Sequence, residues 1–157
     1  MKFSLRKAEP RDVSQILDLI KELALFEKAA DQVELSEANL MEDLFGEDFI
    51  VECIVAEEGN KLSGIAIFYE KYSTWKGRCL YLEDIIVTEN ERGSGIGKAL
   101  FNKVAGIAKQ RNYGRMEWQV LDWNTSAIDF YKAFNANIDP EWLNCKFTRE
   151  QIQAMDL

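Results

Sequence analysis

A chain of 157 residues with 47% hydrophobic content has the apolar material for one ordinary core and needs no linker, so residues 1–157 are expected to form a single domain. Its 19 Lys and Arg against 27 Asp and Glu leave a net charge of −8, which disfavours nucleic acid and anionic membranes and suits a cationic small ligand, although acidity for solubility explains the balance equally well. Histidine is absent, which excludes Ser-His-Asp and Cys-His catalysis, H-E-x-x-H zinc sites and histidine-ligated iron, and leaves proton transfer to Glu, Asp, Tyr, Lys, Cys or water.

Phe3–Lys7 alternates as a first strand, and Pro10, with its fixed φ, suits the first turn of a helix. Val13, Ile16, Leu17, Ile20, Leu23 and Ala24 make one apolar face of that helix, with Asp18, Lys21 and Glu22 opposite. Ser36 and Glu37 open a second, shorter helix that Gly46 stops. Phe49–Glu57, Leu62–Tyr72 and Arg78–Val87 read as three strands joined by short loops, hence an antiparallel meander. Cys53, Cys79 and Cys145 are widely spaced and form no C-x-x-C pair, so neither a disulfide framework nor a thiolate metal site is expected. No signal-peptide pattern opens the chain and no apolar run is long enough to span a bilayer, which predicts a soluble protein of the reducing cytoplasm.

The third meander strand holds Glu83 and Asp84 in an otherwise apolar run, Leu80 to Val87. If the strand is regular, the two carboxylates point to opposite faces. After a short loop come Arg92-Gly93-Ser94-Gly95-Ile96-Gly97-Lys98, and then Ala99, Leu100, Val104, Ile107 and Ala108 at helical steps, so a helix begins inside the glycines. A helix N-terminus presents unpaired N–H groups and partial positive charge, and glycines let an anion approach them. The spacing G-x-G-x-G is neither the Rossmann nor the Walker pattern. That helix ends near Asn112-Tyr113-Gly114. A strand at Met116–Val120 follows, parallel to the third meander strand because a helix crosses between them. Asn124 is an N-cap for a helix through Ala127, Ile128 and Tyr131, and Trp142–Phe147 reads as a last strand.

The turn Arg92–Gly97 resembles the R-G-x-G-[IVL]-G pyrophosphate-binding turn of the GNAT superfamily of N-acetyltransferases. Ile20–Ala24, Leu80-Tyr81-Leu82-Glu83-Asp84, Trp123-Asn124 and Phe130-Tyr131-Lys132 are similar to the diamine (spermidine/spermine) N-acetyltransferase branch, in order from residue 3 to about 135. The element order β-α-α-β-β-β-α-β-α-β is that of the GNAT fold, an α/β (α+β) class with a mixed, mostly antiparallel central sheet flanked by helices. The resemblance implies acetyl-CoA as donor and CoA as product, direct transfer to a primary amine, and a homodimer paired around the C-terminal strands.

By the same resemblance, Glu83 takes the amine's proton, directly or through water, and Tyr131 gives its phenol proton to the departing thiolate. The competing structural readings are a Glu83 satisfied by an arginine such as Arg78 and a core Tyr131 with a wet hydroxyl. The backbone of Ile85, Ile86 and Val87 would hold the pantetheine, and Gly93, Ser94, Gly95, Ile96, Gly97 and Lys98 the pyrophosphate, with Arg92 adding charge and Asn124 and Ser126 side-chain contacts. Phe26, Glu27, Trp75, Glu83, Asp84, Glu117 and, more loosely, Glu141 would meet a cationic acceptor through ion pairs and cation–π contacts. Ser73-Thr74 replaces an acidic Asp-Pro of the polyamine enzymes, Leu25 replaces a basic residue, and Asn135 stands where the helix usually ends in glycine. A short diamine or a lysine-like amine such as thialysine is therefore as well suited as a long polyamine. A non-catalytic acyl-CoA sensor and a protein or peptide N-acetyltransferase are the alternatives on the same fold.

Overall fold

The computed structural model describes residues 2–156. After β1 (Ser4–Lys7), Pro10 opens a single 3-10 turn, Pro10–Asp12, that leads into α1 (Val13–Phe26). Asp12 is almost fully buried and fixes this entry, accepting hydrogen bonds from both terminal nitrogens of Arg6 on β1 (2.6 and 2.9 Å) and from the Glu9 N–H (2.7 Å). Ser36 caps α2 (Glu37–Phe45), its hydroxyl accepting from the Asn39 N–H.

The meander forms as its spacing predicts: β2 (Glu52–Glu58), β3 (Lys61–Ser73) and β4 (Gly77–Val87) are antiparallel neighbours, with β1 on the far side of β2. Helix α3 (Ile96–Gln110) crosses over, and β5 (Met116–Glu117) pairs parallel to β4, giving the order β1-β2-β3-β4-β5. α1 and α2 bury Val13, Ile16, Leu17, Leu40 and Leu44 against Val55, Ile65, Ile67 and Ile86 on one face of the sheet. The alternate residues, such as Phe68, Leu80 and Leu82, serve the other face, and α3 lies against β2–β4 with Leu100 and Val104 fully buried. Asn112 closes α3 with φ 53, in the left-handed region that asparagine tolerates.

The chain divides into two compact units, Met1–Gln119 and Val120–Leu157. The first holds the whole sheet with α1–α3. The second holds α4 (Thr125–Lys132) and α5 (Arg149–Gln153). Asn135, with φ 58, takes the left-handed conformation after α4 that glycine would otherwise supply.

Two strand expectations are corrected. The predicted strand Met116–Val120 is paired only through Met116–Glu117, and Trp142–Phe147 forms no strand. A strand exists only by pairing, and residues 142–147 are exposed and have no ladder partner among the described residues. Among the described residues no helix is long and apolar enough to cross a membrane.

Candidate active site

The expectation that Asp84 points away from Glu83 is corrected by the strand register. Ile67 pairs with Asp84 and Phe68 with Leu82, which leaves Glu83 as the extra residue of a β-bulge. The inserted residue resets the alternation, so both carboxylates come to one face, the face of Ile65, Ile67 and Tyr69. Together with Glu27, just past the end of α1, they line a cavity of about 360 Å³ walled by Ile20, Leu23 and Ala24. A smaller hollow of about 230 Å³ beside α2, lined by Leu44, Phe45, Phe49 and Cys53, gathers no comparable acid–base set.

Burial raises the Asp84 carboxyl to about 7, and the charges of Glu83 and then Glu27 add to the rise. Burial also raises Glu27. Glu83 is exposed and accepts a hydrogen bond from Tyr69 Oη at 3.2 Å. Arg78 does not satisfy it, because that guanidinium pairs with Glu70 at 3.3 Å. Three carboxylates around one cavity attract a cation and leave one of their number ready to hold a proton near neutrality.

At the glycine turn, Gly93 and Gly95 have φ of 80° and 91°, which accounts for glycine at both. Gly95 is the N-cap of α3 and brings no side-chain cap, so the first N–H groups of the helix, at Ile96, Gly97 and Lys98, lack intrahelical partners. A Cβ at Gly93 or Gly95 would meet no atom within 4 Å, so the backbone lies open to an approaching anion. The Ile96 side chain is buried and belongs to the core, Ser94 Oγ donates to the Glu91 carbonyl, and Lys98 is exposed. Arg92 stacks on the Phe26 ring at 4.9 Å and donates from Nε to the Val87 carbonyl at 3.2 Å. β5 pairs with β4 only at Leu80 and Tyr81, so among the described residues the outer edge of β4 at Ile85, Ile86 and Val87 has no ladder partner.

The other expected residues are placed as follows. Trp75 is exposed in the β3–β4 turn, where Ser73 Oγ accepts from the N–H groups of Trp75 and Lys76, so the serine builds the turn. Glu117 is engaged by two cations, Lys71 Nζ and Arg115, each 3.4 Å from Oε1. In the second unit, Asn124 Oδ1 caps α4 by accepting from the Ala127 N–H at 3.2 Å, and Ser126 is exposed in the first turn. Tyr131 is half-buried in the last turn, its ring edge-on to Phe130 at 5.2 Å, and Glu141 is exposed.

Two contributors were not foreseen. Tyr69 joins Glu83 across the bulge; the alternation of β3 was legible, but its register against β4 was not. Glu22 accepts from Thr88 Oγ1 (3.1 Å) and from the Glu89 N–H (2.8 Å), fastening the glycine loop to α1, and nothing in the sequence signals that long-range contact.

A mixed five-stranded sheet, a glycine-opened crossover helix and an acidic cavity beside the bulged strand define an acetyltransferase of the GNAT class. Residues 15–136 match the Acetyltransferase (GNAT) family, and the chain belongs to it. It is 44% identical over 140 residues to the thialysine N-epsilon-acetyltransferase of Bos taurus, covering 84% of this chain and 82% of that one. It is 35% identical over 163 residues to spermidine/spermine N(1)-acetyltransferase-like protein 1 of Homo sapiens, covering 98% of this chain and 24% of that one. An integron cassette protein from the mobile metagenome of V. cholerae matches the fold with a TM-score of 0.79 at 25% identity, covering 98% of this chain and 96% of that one. The chain is an N-acetyltransferase of the diamine and polyamine acetyltransferase-like group.

Proposed function

We propose that the protein transfers an acetyl group from acetyl-CoA to a primary amine of a small cationic acceptor: a diamine, a polyamine or a lysine-like amine such as thialysine. The observation that carries this reading is the bulge that brings Glu83 and Asp84 to one cavity with Glu27. Acetyl-CoA, the donor that GNAT acetyltransferases use, supplies an acetyl group activated as a thioester.

An alkylammonium has a pKa near ~10, so it arrives charged and unreactive. Glu27 and Glu83 draw it in, and the Glu83–Asp84 pair takes its proton, directly or through water, so that the free amine attacks the carbonyl carbon. Glu83 is the exposed partner that meets the ammonium, and Asp84, with its carboxyl near 7, suits the holding of the proton at neutral pH. Tyr131 gives the phenol proton to the sulfur as the C–S bond breaks. The open N–H groups at Gly93–Lys98 suit the pyrophosphate, the free edge of Ile85–Val87 suits the pantetheine, and Arg92, Asn124 and Ser126 add polar contacts. Trp75, Phe26, Glu117 and Glu141 border the acceptor. The enzyme works in the cytoplasm as a homodimer, and the exposure of Trp142, Leu143 and Phe147 supports the pairing of subunits.

An acetyl-CoA consumption screen over diamines, polyamines, thialysine, lysine and peptides tests this. Turnover with one of the small amines is expected. Turnover with peptides alone, or with none of them, overturns the reading.

A further inference from the structure

Residues 88–95 form a turn of their own between β4 and α3. The Glu91 N–H donates to the Thr88 carbonyl at 2.9 Å and the Ser94 N–H to the Glu91 carbonyl at 3.3 Å, so the turn holds its own shape. At its far end it is anchored by Ile96, which is buried in the core. At its near end the anchor is Glu22 on α1. Thr88 is the N-cap of the 3-10 turn Glu89–Glu91 but makes no side-chain cap bond. Its hydroxyl donates to Glu22 Oε2 at 3.1 Å instead, and Glu22 Oε1 accepts from the first N–H of the turn, at Glu89, at 2.8 Å. A half-buried carboxylate 66 residues from Thr88 in the chain thus takes over the cap. One helical turn on from Glu22, the Phe26 ring carries the Arg92 guanidinium at 4.9 Å, a second tie between the same two elements.

The same stretch of α1 walls the acidic cavity through Ile20, Leu23, Ala24 and Glu27. At the helical period, Glu22 and Phe26 share one stripe of the helix and the four cavity residues another. One helix end is therefore bonded to the glycine turn on one side and shapes the cavity on the other. From this arrangement we infer that Glu22 is a positioning residue for the transfer: by clasping Thr88 and Glu89 it fixes the register between the turn that seats the donor's pyrophosphate and the cavity that seats the amine. The inference rests on the function proposed above. Acetyl transfer needs the amine nitrogen and the thioester carbon about 3–3.5 Å apart, and a misplacement of about 1 Å costs on the order of 10²-fold in rate. The clasp sets where the two seats lie relative to each other and not how well either one binds, because the turn keeps its N–H groups through its own hydrogen bonds and the cavity keeps its three carboxylates. The charge of Glu22 is not what the geometry uses. The turn already carries Glu89 and Glu91, and a further negative charge beside an anion seat disfavours the anion. The two acceptor oxygens are what hold the turn.

Steady-state kinetics on every amine of the screen above that the parent turns over, together with CoA affinity by calorimetry, test this on variants that thermal melts show folded. Glu22→Ala should lower kcat about 30- to 100-fold and leave the CoA Kd and the acceptor KM within about threefold of the parent's. Glu22→Gln, whose amide accepts from the Glu89 N–H and donates to the Thr88 hydroxyl, should bring kcat back to within about threefold. Thr88→Val, which removes half of the clasp, should lower kcat about 3- to 10-fold, and adding it to Glu22→Ala should bring no further loss, since both break one contact. Three results overturn the inference while the acetyltransferase reading stands: a kcat of Glu22→Ala within about threefold of the parent's, a loss that falls on CoA affinity instead of kcat, or a Glu22→Gln as slow as Glu22→Ala. Should Glu22→Ala not fold, Thr88→Val decides, and an unchanged kcat there overturns the inference. A parent that turns over none of the screened amines overturns the proposed function and this inference with it.

Discussion

Tyr69 Oη and Glu83 Oε2 are 3.2 Å apart although 14 residues separate them, because the bulge in β4 brings Glu83 to the sheet face that Tyr69 occupies, where a regular strand would set it on the opposite face from Asp84. The phenol donates, so one carboxylate oxygen is fixed and the other is left for a cation. Burial and then the charge of Glu83 push the Tyr69 phenol up to about 12, so it remains a donor throughout the working range.

Tyr69→Phe should therefore loosen Glu83 without emptying the cavity. Loss of a hydrogen bond to a charged group is worth about 1.5–3 kcal/mol when buried, and less at this exposed carboxylate. A rise in acceptor KM of about 3- to 10-fold is expected, with CoA affinity unchanged by calorimetry. An unaltered acceptor KM would show that the tyrosine does not orient Glu83.

Asp84 couples the site to pH. Its folded pKa, about 7, lies above the unfolded value, so the native state holds this proton more tightly. The stabilising contribution is complete below about pH 4, shrinks as pH rises toward 7, and is gone above it. Asp84→Asn removes the cost of ionisation, and its stability relative to the parent should grow from near zero at pH 4 to on the order of 3 kcal/mol above pH 7 in urea titrations. In kinetics, the parent's kcat/KM should fall about tenfold per pH unit below 7, and Asp84→Asn should lose that limb along with most of the rate. A parent profile flat between pH 5 and 7 would remove Asp84 from the proton path.

Gly95→Asp puts a carboxylate against the open N–H groups of α3, at a φ of 91° that an aspartate adopts only at some cost. CoA binding by calorimetry should weaken by at least about 30-fold, the equivalent of roughly 2 kcal/mol, in a protein that thermal melts show folded. Unchanged affinity would place the pyrophosphate elsewhere.

Tyr131→Phe should cut kcat by about 10²–10⁴ and leave CoA affinity and acceptor KM nearly unchanged, because the phenol proton is needed only as the C–S bond breaks. A kcat within about threefold of the parent's, with acyl transfer shown to limit turnover, would leave solvent to protonate the thiolate.

What the sequence alone determined rests on local signals. Apolar periodicity located α1, α2, α3 and the meander, because burial of one face is written at 3.6- or two-residue steps. Ser36, Asn124 and the glycines marked helix starts, since caps act over three or four residues. The adjacency of Glu83 and Asp84, and the missing histidines, were also plain. What only the tertiary structure decided depends on register and long-range pairing. Alternation along β4 says nothing of where β3 slips by one residue, yet that slip sets both carboxylates on one face with Glu27 and raises Asp84. The same is true of Tyr69 at Glu83, Glu22 at the glycine loop, and Lys71 and Arg115 on Glu117. Trp142–Phe147 failed as a strand for the converse reason: its composition favours extension, but a strand is made by a neighbour, and a neighbour is not encoded within six residues.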